Sequence, residues 1–207
     1  MEHGDHVALN YDLDAPLVEC TSIEDWKQKA RGHKVFITPH HMGYQTGYRG
    51  YNWNFFTEGD KTPFVEMYSR HGLAESDQGD YNYLHDMGPR QWEGTIQCGL
   101  EQGKKFGIMG STDQHAGYPG SYGDGRIGVL AESLTRDKIW DAMKNRHVCC
   151  ATGDKINIDF RLNDAFPGDV VRGNSRRIYL NVEGGSCIDY IDIVKNRKCI
   201  ARLSGPL

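Results

Sequence analysis

Short apolar runs, each closed by a histidine-bearing loop, set the rhythm of the first part of this chain. Residues 34–38 run into Pro39, His40 and His41, residues 64–69 into Arg70, His71 and Gly72, and residues 106–110 into Ser111, Thr112, Asp113, Gln114 and His115. Such runs, rich in Val, Ile and Phe without strict alternation, read as strands buried on both faces, the habit of parallel sheets. Helical patterns lie between them. Ser22 is placed as an N-cap with Glu24 and Asp25 in the first turn, and Gly32 stops that helix before the run at 34. Trp92, Ile96 and Leu100 are spaced four apart on one helical face that Gly103 closes. A third unit follows: a strand at 127–130, a helix capped by Thr135 with Ile139, Trp140 and Met143 inward, and a strand at 148–151. Repeated αβ units predict a parallel sheet.

The pattern changes near Thr152, Gly153 and Asp154. Residues 156–162 alternate strictly between apolar and polar, residues 179–182 do so more loosely, and residues 188–194 mix Ile, Val and Tyr with Asp. These read as three half-buried antiparallel strands, too few for an independent core. The expected organisation is an α/β segment over 1–153 and a partial antiparallel β module over 154–207. Two glycine- and tyrosine-rich loops, 42–61 and 117–126, are expected to wall a pocket above the strand ends.

Composition narrows the possibilities. The chain has 207 residues, a net charge of -4 and basic residues that cluster only at 172–177 and 195–198, which argues against nucleic acid as a partner. No apolar stretch reaches the ~18–20 residues of a membrane span, and residues 1–6 lack the features of a signal peptide, so no membrane partner is expected and a cytoplasmic location is favoured. The six cysteines show no C-x-x-C spacing and read as reduced thiols.

The chemistry concentrates at the predicted strand ends, where open and closed α/β folds gather their sites. Imidazoles with a carboxylate make a transition-metal site. In an extended segment residues two apart point the same way, so Asp113 and His115 can serve one metal or two adjacent ones. Adjacent residues face opposite ways, so one of His40 and His41 is expected to enter the cluster; His40 is the choice, and His41 sits behind it or packs its loop. Glu66 shares a strand face with Phe64 and Tyr68. There its carboxylate either orients a ligating imidazole or makes a structural hydrogen bond. His33 and His147 precede strands and belong at the opposite end.

Read together, Pro39 to Tyr44, Val65 to Gly72, Gly110 to Gly120 and Ala151 to Ile156 resemble the motifs of the PHP (polymerase and histidinol phosphatase) superfamily, and more narrowly its DUF3604 branch. The resemblance implies a distorted (β/α)7 TIM-like barrel, here partial and followed by the start of an all-β sandwich-like module. It implies two or three divalent metals (zinc, manganese or iron) and hydrolysis of phosphate esters on a small, phosphorylated substrate. By the same resemblance His40 and His71 would share one metal, Asp113 would hold a second and His115 a third. Asp113 and His115 would form the catalytic part of a phosphoesterase acting through a metal-bound hydroxide. Apart from the resemblance, the two glycine-rich loops offer Arg49 or Tyr118 as residues that would touch the substrate. The superfamily's opening H-x-H, its Asp-His pair and its bridging glutamate have no counterpart here. The chain therefore reads as an internal piece of a longer protein, or else as a degenerate scaffold. Hydrolysis of an amide or another ester is the rival chemistry.

Overall fold

Antiparallel returns, not parallel crossovers, organise most of the structure. The computed structural model describes residues 2–59, 61–78, 88–121 and 124–205. Asp60, Tyr122 and Gly123, which belong to the two glycine-rich loops, lie outside that set. Strand β1 (His6–Asn10) leads through helix α1 (Ile23–Lys29) to β2 (Val35–Pro39), which comes back antiparallel to β1 with His6 opposite Pro39 and Asn10 opposite Val35. Strand β3 (Phe64–Ser69) turns tightly into β4 (Gly72–Leu73) and pairs in parallel with β5 (Gly107–Gly110). Strand β6 (Arg126–Val129), helix α3 (Arg136–Lys144) and β7 (Val148–Ala151) repeat the antiparallel return. Among the described residues the strands fall into five small sheets, and β3 with β5 is the one parallel pairing.

Among the described residues the expected (β/α)7 barrel is therefore absent: small separate sheets with three short helices do not close a barrel. A helix between two strands implies a parallel pair only if the connection crosses over the sheet. Helices α1 and α3, of 7 and 9 residues, instead lie on returns that bring the next strand back beside the last.

The helix expected from Trp92 to Leu100 is also interrupted. A 3-10 turn (Trp92–Gly94) is followed by α2 (Ile96–Glu101), and Thr95 between them is extended. Its hydroxyl accepts from the Cys98 amide, so a cap stands where continuous helix was expected, and Leu100 is left 55% exposed. The caps of α1 and α3 are Ser22 and Thr135.

Much of the described segment 42–59 builds core, which the expectation of a pocket wall did not include. Met42, Tyr44, Tyr51, Trp53 and Phe56 are buried, and Trp53 stacks on Phe106 while its indole N–H donates to the Thr95 carbonyl at 2.9 Å. A Cβ at Gly99 would stand 2.3 Å from the Trp53 ring, so only glycine lets α2 approach this indole. Gly43 and Gly94 are joined by a backbone hydrogen bond of 2.9 Å, which fixes the segment just after His41.

Beyond residue 156 the chain is all β. Strands β8 (Asn157–Leu162) and β9 (Ile178–Glu183) form one antiparallel hairpin, and β10 (Tyr190–Lys195) and β11 (Lys198–Ser204) form another. The fourth strand is additional to the three expected. Isoleucines, leucines and valines of the two hairpins line an apolar cleft of about 690 Å³. At the tip of the second hairpin, Arg197 pairs with Glu101 at 2.5 Å and lies over the Trp92 ring, which anchors the hairpin on α2. Among the described residues no helix is long and apolar enough to cross a membrane.

Candidate metal centre

The carboxyl ends of β2, β3 and β5 meet, and each delivers a ligand-type side chain to the same place. Strand β2 ends at Pro39, and the next residue, His40, donates its backbone N–H to the Asp5 carbonyl at 2.9 Å. His41 then takes a left-handed backbone conformation, φ 54°. That conformation defeats the alternation expected of an extended chain. Both imidazoles turn to one side, with ring centroids 3.6 Å apart. Between β3 and β4 the tight turn presents His71, whose backbone N–H is held by Ser69 Oγ at 3.2 Å. After β5, Asp113 is again left-handed, φ 44°. Left-handed backbone also occurs away from this cluster, at Arg146, Asn163, Asn196 and Arg197; at His41 and Asp113 its modest cost is met by the surrounding contacts.

Asp113 is the hub. Its Oδ2 lies 3.4 Å from His40 Nε2, 3.3 Å from His41 Nε2 and 2.6 Å from His71 Nε2. Two carboxylates stand behind the imidazoles. Glu66, 5% exposed at the centre of β3, accepts from His40 Nδ1 at 2.7 Å and from the Ser111 hydroxyl, and Asp5 accepts from His41 Nδ1 at 2.9 Å. A carboxylate at Nδ1 fixes the tautomer that leaves Nε2 as the electron-pair donor, the arrangement found behind metal-ligating histidines.

Electrostatics call for a cation. With Nδ1 committed as donor, a neutral imidazole turns the lone pair of Nε2 toward Asp113 Oδ2, and these two electron-rich atoms need positive charge between them. In the metal-free chain a proton meets that need at His40. Burial disfavours the charged ring, but the Asp113 and Glu66 carboxylates outweigh it and raise the pKa to about 10. Burial likewise works against the Asp113 carboxylate. The surrounding imidazoles overcome it and hold its pKa far below the usual carboxylate range.

The geometry fits a metal of the zinc class. Ligand atoms about 2.0–2.1 Å from a tetrahedral cation lie roughly 3.3–3.4 Å from one another, and the separations of His40 and His41 from Asp113 are 3.4 and 3.3 Å. His71, at 2.6 Å, would move outward to make room. Donor atoms of His40, His41 and Asp113 lie within 4.8 Å of one another, as do those of His71, Asp113 and His115, so Asp113 is common to both groups. Imidazole and carboxylate together suit zinc, manganese or iron.

The remaining expected site residues fall around this hub. His115 is at the rim: its side chain is 72% exposed, and its Nδ1 bonds to the Asp113 backbone carbonyl at 2.8 Å. Arg49 reaches Asp5 Oδ2 at 3.3 Å. Tyr118 is exposed. His147 sits at the start of β7 and pairs with Asp169 at 3.1 Å. Asp5 and Ser111 are not among the expected site residues; Ser111 lies beside Asp113 in sequence, whereas Asp5 meets its partner His41 across 36 residues.

Comparison with known proteins finds similarity to chlamydial proteins. The chain is 27% identical over 169 residues to an uncharacterized protein of Chlamydia trachomatis, a match covering 71% of this chain and 26% of the relative. It is 24% identical over 160 residues to one of Chlamydia pneumoniae, covering 69% and 26% respectively. The chain thus spans about a quarter of the length of the curated relatives it matches. No family model and no solved structure matches.

Proposed function

We propose that the His/Asp cluster binds a divalent cation and that the chain forms the metal-holding part of a hydrolase acting on phosphate esters. One observation carries this reading: the Nε2 atoms of His40, His41 and His71 converge on the Asp113 carboxylate, and carboxylates behind His40 and His41 hold two of these rings in the ligating tautomer. His40, His41 and Asp113 would hold one cation, and His71 and His115 with the shared Asp113 could hold a second. Zinc, manganese or iron would supply Lewis acidity, neutralising phosphoryl charge and making water a better nucleophile. Glu66 and Asp5 keep the imidazoles of His40 and His41 oriented. The motif resemblance to the PHP superfamily supports a phosphate ester over an amide as substrate.

Metal analysis of the protein after dialysis, followed by assay of metal-loaded protein with p-nitrophenyl phosphate, tests the reading. Stoichiometric zinc, manganese or iron and hydrolysis that Asp113→Ala abolishes are expected. Folded protein that binds none of these metals would end the proposal. Metal binding with turnover of amides but not phosphate esters would replace the substrate class.

A further inference from the structure

Asp5 joins the metal cluster to a cationic side chain outside it, and its position is built into the backbone. Its N–H donates to the Arg49 carbonyl at 3.2 Å and its own carbonyl accepts from the His40 N–H at 2.9 Å. Its carboxylate oxygen Oδ2 receives both His41 Nδ1, at 2.9 Å, and Arg49 Nη1, at 3.3 Å. The preceding Gly4 has φ +71°, and a Cβ there would stand 2.8 Å from the Gly50 carbonyl oxygen, so residues 4–5 dock on residues 49–50 only because Gly4 has no side chain. Asp5 is thus clamped by main-chain bonds before its side chain makes any contact. That single carboxylate oxygen can hold an imidazole and a guanidinium together.

We propose that Asp5 is a positioning residue with two effects: it fixes His41 as an Nε2 donor to the cation, and it holds Arg49 beside the centre to bind the anionic group of the substrate. This rests on the metal reading above and deepens it. Arg49 suits the second role because its side chain is 38% exposed and its guanidinium has donors beyond the one directed at Asp5, in the planar fork that matches phosphate oxygens. Asp5 also offsets part of the guanidinium charge, which lets Arg49 rest near a cation before the anion arrives.

Titration of the full chain with Co(II), and of the Co(II)-loaded chain with inorganic phosphate, separates the two effects. Asp5→Ala removes both. Co(II) binding should weaken about 10- to 100-fold, as for other residues that orient a ligating histidine, with a changed Co(II) absorption spectrum, and phosphate binding should weaken roughly tenfold or more. Asp5→Asn keeps an oxygen able to accept from His41 Nδ1 but loses the charge that holds Arg49, so it should recover Co(II) affinity without recovering phosphate affinity. Should Asp5→Ala melt well below the parent in chelator, Arg49→Met decides: unchanged Co(II) affinity with weakened phosphate binding is expected, and unchanged phosphate affinity overturns the inference. Parent-like Co(II) and phosphate binding by folded Asp5→Ala overturns it too, while leaving the metal reading intact. Failure of the parent chain itself to bind Co(II) defeats that reading first.

Discussion

Replacing Asp113 by Asn keeps the shape of the hub and removes its charge, so it addresses the metal centre with little change in volume. Asp113 is the atom group shared by the three converging Nε2 atoms. A four-ligand zinc site is worth about 10–16 kcal/mol at neutral pH, or roughly 3 kcal/mol per ligand, so loss of this one should weaken binding on the order of a hundredfold. Thermal melting reads the difference. At free zinc about 100 times the parent's Kd, binding stabilises the parent by about 2.7 kcal/mol. For a chain of 207 residues, at about 2–4 °C per kcal/mol, that is a rise of roughly 5–10 °C. At the same zinc concentration the variant sits near its own Kd, gains only about 0.4 kcal/mol, and should rise by about 1 °C. Both melts are referred to the same protein in chelator, so any intrinsic loss of stability in the variant cancels. A zinc-induced rise in Asp113→Asn equal to the parent's would refute the placement of the cation at Asp113.

Other expectations follow from the same geometry. Glu66→Gln should weaken zinc binding about 10- to 100-fold while His147→Gln, whose ring pairs with Asp169, should leave it unchanged; equal titration curves for the parent and Glu66→Gln would remove the orienting role. In chelator, stabilisation from His40, whose folded pKa is raised to about 10, is full below its unfolded value of about 6.5 and is lost as pH rises toward 10. The Asp113 contribution, with its folded pKa depressed, is present above about 3.9 and lost as pH falls. Saturating zinc displaces the His40 proton, so the metal-loaded protein should instead gain stability between pH 6 and 8, roughly where chelated protein begins to lose it; melting curves with parallel pH trends in the two states would contradict a shared site. Gly99→Ala, which drives a methyl group into the Trp53 ring, should lower stability by about 1–3 kcal/mol in urea melts, and a neutral result would show that α2 has room to shift.

The amino-acid pattern by itself placed part of the His/Asp cluster close to where it lies. Apolar runs located strands at Phe64–Ser69 and Val148–Ala151, because a buried strand must be apolar wherever it packs. Polar caps located the starts of α1 and α3, because Ser and Thr satisfy amides that local geometry leaves open. His40, His71 and Asp113 were legible because each follows such a run, and a strand end is where a side chain leaves the core but stays close to it.

Direction and long-range contact belong to the tertiary structure. A strand's sequence looks alike whichever way its neighbour runs, so only packing decided that β1 with β2, and β6 with β7, are antiparallel and that no barrel closes. The aromatic residues of 42–61 could line a pocket or fill a core; contact with Phe106 and α2 decided for the core. His41 joins the cluster through a left-handed backbone that its surroundings impose, against the local preference that alternation assumes. Asp5 enters through a contact across 36 residues of sequence. Local pattern carries the free energy of burial and capping, which each residue meets wherever it is placed. The pairing of distant polar groups around one charge exists only once the chain has brought them together.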